Sequence, residues 1–202
     1  MATGKTDIYA LAALRLGGGN TYDVITESVV GANTEKMVRV FDSVWDLSLK
    51  YVLSLENWAS ATKYETCGAY LTGAGLPGKS DWDYAYNKPP DCVRVIDLID
   101  EDDRSVSYPY EEAGQYILMD EDEAYAKYVW LVGDEDLPRL DGSLTLAIAG
   151  WLAYVASKSL GKPESERALL LQEYERDLNT ACRKNGMKSS KTTGRAMASE
   201  TT

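Results

Sequence analysis

The sequence predicts an α+β protein: a four-helix bundle, two helices from each end of the chain, with an inserted small antiparallel β domain and a flexible C-terminal tail. Three observations predict it. Apolar residues recur at helical spacing near both ends, the middle alternates with period 2 between short turns, and periodicity fades after Gly186. The implied division is 1–58 with 134–186 for the bundle, 59–133 for the β-rich insertion and 187–202 for the tail. Neither helix pair has much core alone, so the two pairs are expected to pack together across the insertion.

Residues 6–16 read as a short helix with Ile8, Leu11, Ala12 and Arg15 on one face, and Gly17, Gly18 and Gly19 end it. Residues 20–31 read as a linker. Asn33 or Thr34 then suits the N-cap of a long helix. Met37, Phe41, Val44, Ser48, Val52 and Leu55 mark its inner face, flanked by a second stripe of Val40, Leu47 and Tyr51. This helix is expected to end near Asn57, before Trp58.

Residues 62–71 read as one strand, and 72–80, with three glycines and a proline, as a loop. Trp82, Tyr84 and Tyr86 alternate with polar or small residues until Pro89 and Pro90 stop the strand. Residues 92–99 are a β-branched run. Three further strands are expected at 106–110, 116–119 and 125–132. Helical period returns with Leu140, Leu144, Ile148, Trp151, Leu152 and Val155, up to Gly161. Pro163 opens a last helix carrying Leu171, Tyr174, Leu178 and Ala181 or Cys182, which Asn185 and Gly186 should end.

Composition narrows the chemistry. The net charge is −11, from 21 basic and 32 acidic residues, a poor balance for wrapping duplex DNA. From Asp97 to Asp136 there are 14 acids against Arg104 and Lys127, whereas the last twenty residues carry five bases and one acid. Opposite patches on one molecule favour head-to-tail contact between copies; solubility and a disordered tail would explain them as well. Histidine is absent, which removes the commonest general base and metal ligand. Cys67, Cys92 and Cys182 form no C-x-x-C pair and read as buried thiols. No apolar run is long enough to span a membrane, and the first residues lack the apolar core of a signal peptide. No phosphate loop or calcium loop appears; the acidic stretches 100–103 and 120–123 read as solvated turns. Five Trp and fourteen Tyr against one Phe suit either interfaces or ordinary strands. No cofactor or metal is expected; the many acids could supply paired carboxylates for glycoside hydrolysis, and nothing singles out a pair.

The run Tyr84-Ala85-Tyr86-Asn87-Lys88-Pro89-Pro90-Asp91-Cys92-Val93-Arg94-Val95 resembles the "Y-x-Y-x-x-P-x-D-C-x-R-V" signature of tailed-phage head-to-tail adaptor proteins, the tail tubular protein A group among them. Other pieces fall in the matching order: the opening helix from Asp7-Ile8 to Leu16-Gly17, the Trp58 that ends the long helix, Tyr110 with Gly114 and Ile117, and the late helix from Ala147 to Ala156. The resemblance covers about residues 6–186; the glycine-rich loop 72–78 departs from it.

The resemblance implies a structural, non-enzymatic virion protein, assembled in the host cytoplasm at the head–tail interface. Its partners would be the portal protein, neighbouring copies in a ring commonly of twelve subunits, and a downstream tail or nozzle protein. DNA would pass through the channel without sequence-specific binding, and an acidic lumen would let it slide. The C-terminal segment, with Met187, Lys188, Lys191, Arg195 and Met197, would make portal or oligomer contacts. Two alternatives from other classes are a virion-associated carbohydrate-active enzyme, with acids from the 97–136 stretch and tryptophans stacking on sugars, and a non-viral protein-interaction module.

Overall fold

The computed structural model describes residues 4–17, 32–68, 70–72, 81–123 and 125–197. The chain is α+β, with four α-helices and seven strands among the described residues. It forms two compact units, Met1–Ser60 with Val132–Thr202, and Ala61–Leu131.

In the first unit, α1 (Lys5–Arg15) begins at Gly4, whose N–H donates to Asp7 Oδ2 at 3.0 Å. It buries Ile8, Tyr9, Ala12 and Ala13 and ends where Gly17 adopts φ +77°, a conformation costly for any residue with a Cβ. Helix α2 (Ala32–Ser54) buries Phe41, Trp45, Ser48, Leu49, Val52 and Leu53. Trp58 closes its end: the indole is buried and donates to the Val52 carbonyl at 3.0 Å, which also accepts the Leu55 N–H at 3.3 Å. Helix α3 (Gly142–Ser159) starts at Asp141, whose carboxylate accepts the Ser143 N–H at 2.9 Å. It is apolar on most of its circumference and touches α1, α2 and α4 (Glu164–Met197), which is why so many of its residues are alanine or larger aliphatics at zero exposure. From α4 come the buried residues Leu170, Tyr174 and Ala181.

In the second unit, β1 (Thr62–Thr66), β7 (Tyr125–Trp130) and β4 (Cys92–Ile99) form one antiparallel sheet in the order β1-β7-β4. A second antiparallel sheet runs β2-β3-β6-β5, from β2 (Tyr70–Thr72), β3 (Tyr84–Asn87), β6 (Tyr116–Met119) and β5 (Glu111–Ala113). The hairpin from β5 to β6 turns at Gly114, φ +63°. Ala85, Leu98, Ile117, Met119, Ala126, Tyr128 and Val129 form the core of this unit.

This architecture corrects the expected four-helix bundle with one small antiparallel β insertion. Among the described residues the β region holds seven strands in two separate sheets. The expected strand 62–71 is two strands in different sheets, β1 and β2, broken at Cys67 and Gly68. The segment 106–110 contributes only an isolated bridge between Ser107 and Ile99, and β5 follows it. Strands of three residues are too short to show a period, and their sheet is chosen by partners far along the chain. The expected flexible tail is also corrected, because α4 continues through Gly186 to Met197. Glycine within a helix costs only about 1 kcal/mol, and no proline follows Pro163 to stop the helix. The inner face of α2 differs too: Leu47 is 71% exposed, Tyr51 and Leu55 are each 39% exposed, and Trp45 and Leu49 point inward instead. The linker at 20–31 and loop residues 73–80 lie outside the described residues.

Candidate functional site: a tyrosine cleft and the signature joint

The Y-x-Y-x-x-P-x-D-C-x-R-V run forms the joint between the two sheets. Tyr84 and Tyr86 lie on β3, Pro89 and Pro90 turn the chain, and Cys92 opens β4. The turn is closed by the Cys92 N–H donating to the Pro89 carbonyl at 2.9 Å. Asp91 is its anchor. Its carboxylate accepts Lys63 Nζ at 2.8 Å and lies 2.9 Å from the Tyr128 hydroxyl, while its carbonyl accepts the Leu131 N–H at 2.7 Å. The Tyr128 hydroxyl also lies 2.7 Å from Glu65 Oε2. One phenol has one proton to donate, so it satisfies one carboxylate at a time, and Lys63 supplies the positive charge beside Asp91. Lys63 Nζ lies 3.6 Å from the centroid of the Trp130 ring, which adds a cation–π contact. Burial, then the two carboxylates, push the Tyr128 phenol far above its usual range, so it remains a neutral hydrogen-bonding strut.

Beside this joint, within the β unit, is a cleft of about 400 Å³. Its walls are Thr66, Cys67, Gly68 and Tyr70 where β1 passes to β2, Tyr86 on β3, Ile99, Asp100 and Glu101 at the end of β4, Tyr108, and Glu121, Asp122, Glu123 and Tyr125 between β6 and β7. Tyr70 and Tyr86 have ring centroids 5.2 Å apart, and Tyr84 lies at the same distance from Tyr70, so three rings form a continuous aromatic patch. Tyr86 donates its hydroxyl to the Glu121 carbonyl at 2.9 Å, and burial pushes that phenol up to about 12. Tyr108 donates to Asp100 Oδ2 at 2.8 Å. The N–H groups of Asp103 and Asp102 donate to Asp100 Oδ1, and these bonds hold the Asp100 carboxyl below the usual carboxylate range. Such a carboxylate accepts hydrogen bonds and attracts cations; it is poorly suited to donate a proton as a general acid. Burial pushes the Cys67 thiol up to about 12, far from a reactive thiolate. Arg104 stacks over Tyr64 at 4.9 Å and Tyr125 at 6.0 Å, so tyrosines at this end of the unit already receive a cation. A cleft with tyrosine walls and a carboxylate rim suits ammonium or guanidinium groups.

The two acidic turns, 100–103 and 120–123, are separate in the sequence, and the fold brings both to this one cleft. The strongest hint in the sequence was the excess of tyrosine over phenylalanine. Met187 is 67% exposed on α4. Lys188, Lys191, Arg195 and Met197 belong to the same helix, and their side chains lie outside the described residues. Among the described residues no cluster of three or more acidic or cysteine side chains is arranged to hold a metal, and no helix is long and apolar enough to cross a membrane.

No family model matches this chain, and no curated protein matches its sequence.

Proposed function

We propose that the chain is a structural head-to-tail adaptor of a tailed phage. It forms a ring beneath the portal, extends the DNA channel and gives downstream tail proteins a platform. The observation that carries this reading is the run from Tyr84 to Val95, together with the order of the opening helix, Trp58 and the late helix around it. Two features support it. The signature residues are tied into one joint, Asp91 above all, as expected of a motif kept for architecture. The acidic excess between Asp97 and Asp136 suits a channel that repels phosphate.

On this reading Met187, Lys188, Lys191, Arg195 and Met197 lie in the segment through which the adaptor makes its portal and oligomer contacts. The purified chain is monomeric or weakly associated, and the portal templates the ring. Electron microscopy of the full chain mixed with its candidate portal tests this. Rings should decorate the portal, and a chain truncated after Gly186 should leave it bare. A stable ring formed by the purified chain alone at micromolar concentration would overturn the templating, and bare portal with the full chain would overturn the adaptor reading.

A further inference from the structure

The tyrosine cleft is an acceptor without an assigned occupant. Its walls include Tyr70 and Tyr86, its rim carries Glu101, Glu121, Asp122 and Glu123, and among the described residues none of these four carboxylates enters an ion pair. A volume of about 400 Å³ admits one or two long basic side chains rather than a folded element.

The complementary feature emerges only once α4 is seen to run to Met197. Lys184, Lys188, Lys191 and Arg195 recur at spacings of 4, 3 and 4, the spacing of one helical face, and no acid occurs between Arg183 and Met197. The chain therefore carries a basic helical stripe and an acidic tyrosine cleft.

We propose that the basic stripe at the end of α4 in one copy docks its lysine and arginine side chains into the tyrosine cleft of a second copy. The contact is heterologous, since stripe and cleft differ. Every copy then offers one of each, and such contacts either close into a ring or run on as a filament. Their energy comes from solvent-facing charge pairs and cation–π contacts, so the association is weak and dissolves in salt. The inference rests on the adaptor reading only for the reason that many copies gather in one place; the contact itself needs no portal.

The test uses two full-length variants. One neutralises the stripe (K184Q/K188Q/K191Q/R195Q) and keeps the cleft; the other neutralises the rim (E101Q/E121Q/D122N/E123Q) and keeps the stripe. At low ionic strength the unaltered chain should associate as concentration rises, and each variant alone should associate at least about tenfold more weakly. An equimolar mixture of the two should form one-to-one dimers and go no further, because only one stripe and one cleft remain competent. Raising ionic strength to about 1 M, where the Debye length is about 3 Å, should dissociate them. A mixture that stays monomeric overturns the proposal, as does a variant that associates like the unaltered chain. A stripe that instead binds duplex DNA, with the mixture still monomeric, also overturns it. Should either variant fail to fold, zero-length carbodiimide coupling of the unaltered chain, mixed from isotopically light and heavy copies, decides the matter. Light-to-heavy links should join Lys188 or Lys191 to Glu121 or Glu123, and links confined to other sites count against the contact. Dimers from the mixture together with bare portal would sink the adaptor reading and leave this contact standing; decorated portal with a monomeric mixture would do the reverse.

Discussion

Arg15 on α1 reaches Asp177 on α4 by crossing α3 at Gly150. The Nη2–Oδ2 distance is 2.5 Å, Nη2 also lies 3.3 Å from the Leu146 carbonyl, and both charged side chains are 15% exposed. A Cβ on Gly150 would sit 2.7 Å from Arg15 Nη1, an atom that is buried and has no hydrogen-bond acceptor among the described residues. The glycine is needed for the passage of the guanidinium; its backbone is ordinary helix. One ion pair ties α1 to α4 across α3, and a methyl group on Gly150 would force the Arg15 guanidinium to shift.

Gly150→Ala should therefore destabilise the native chain, although alanine favours a helix by about 1 kcal/mol. Arg15→Met should cost about 2 kcal/mol. That is less than the roughly 3–5 kcal/mol for stranding a fully buried charge, because water and Arg176, at 3.8 Å, still reach Asp177. In the Arg15→Met background the alanine should become neutral or stabilising. Urea midpoints for the two single variants and the double variant check this, and simple additivity would count against the proposed clash.

Trp58→Phe keeps most of the buried ring and removes the hydrogen bond to the Val52 carbonyl. The expected loss is about 1–2 kcal/mol, against about 3–5 kcal/mol for Trp58→Ala, which also empties the space. Thermal melts of the two variants should rank in that order. A Trp58→Phe variant as stable as the unaltered chain would mean that the indole N–H does nothing for the helix end.

At the signature joint, Asp91→Ala should cost more than Tyr128→Phe. The first strips the carboxylate partner from Lys63 Nζ and one of two carboxylates from the Tyr128 hydroxyl, which keeps Glu65, and the second removes one hydroxyl while Lys63 still holds Asp91. About 1–2 kcal/mol is expected for the phenylalanine. Chemical denaturation of both variants gives the comparison, and a larger loss in Tyr128→Phe would refute the role of Asp91 as anchor.

Stability should fall in alkali. Burial pushes Cys67 from 9.0 up to about 12, Cys92 from 9.0 up to about 11 and Tyr86 from 10.0 up to about 12. Above about pH 9 the unfolded chain sheds these protons while the folded chain keeps them. The unfolded state then binds fewer protons, and the stabilisation present below pH 9 declines as pH rises toward 12. Melting temperatures should be level below pH 9 and drop above it, and Cys67→Ala should lessen the drop. A melting temperature that rises between pH 9 and 11 would reverse the sign of this linkage.

Replacing any single carboxylate between Asp97 and Asp136 by its amide should leave particle assembly intact or change it gradually, as a charged surface would. Infectivity lost from one such change, with particles complete and filled with DNA, would demand a chemical role for that residue.

Signals that act within a turn or two of chain were legible in the amino-acid order alone. Gly17 ends the first helix, Pro89 and Pro90 break the strands, Gly161 and Pro163 separate α3 from α4, and the apolar content of α3 marks it as buried. These depend on φ, on missing donors and on helical period, all properties of near neighbours. Choices between local states of similar energy waited for the tertiary structure. Two apolar stripes compete on α2, and packing against α1 and α3 decides that Trp45, which meets Tyr9 of α1, and Leu49 go inward while Leu47 faces water. Asn185 and Gly186 carry a local stop signal. The fold instead spends the Asn185 side chain on the backbone at 57–59, donating to the Asn57 carbonyl at 2.8 Å and accepting the Ala59 N–H at 2.9 Å, and the helix runs on. The candidate cleft was the least legible part. Thr66 at the end of β1 pairs with Tyr125 at the start of β7, and that pairing brings the break at Cys67 beside the acidic turn that precedes Tyr125. Nothing within reach of a helical turn or a hairpin encodes such a meeting; it is fixed by strand register, which only the buried faces of the whole β unit select.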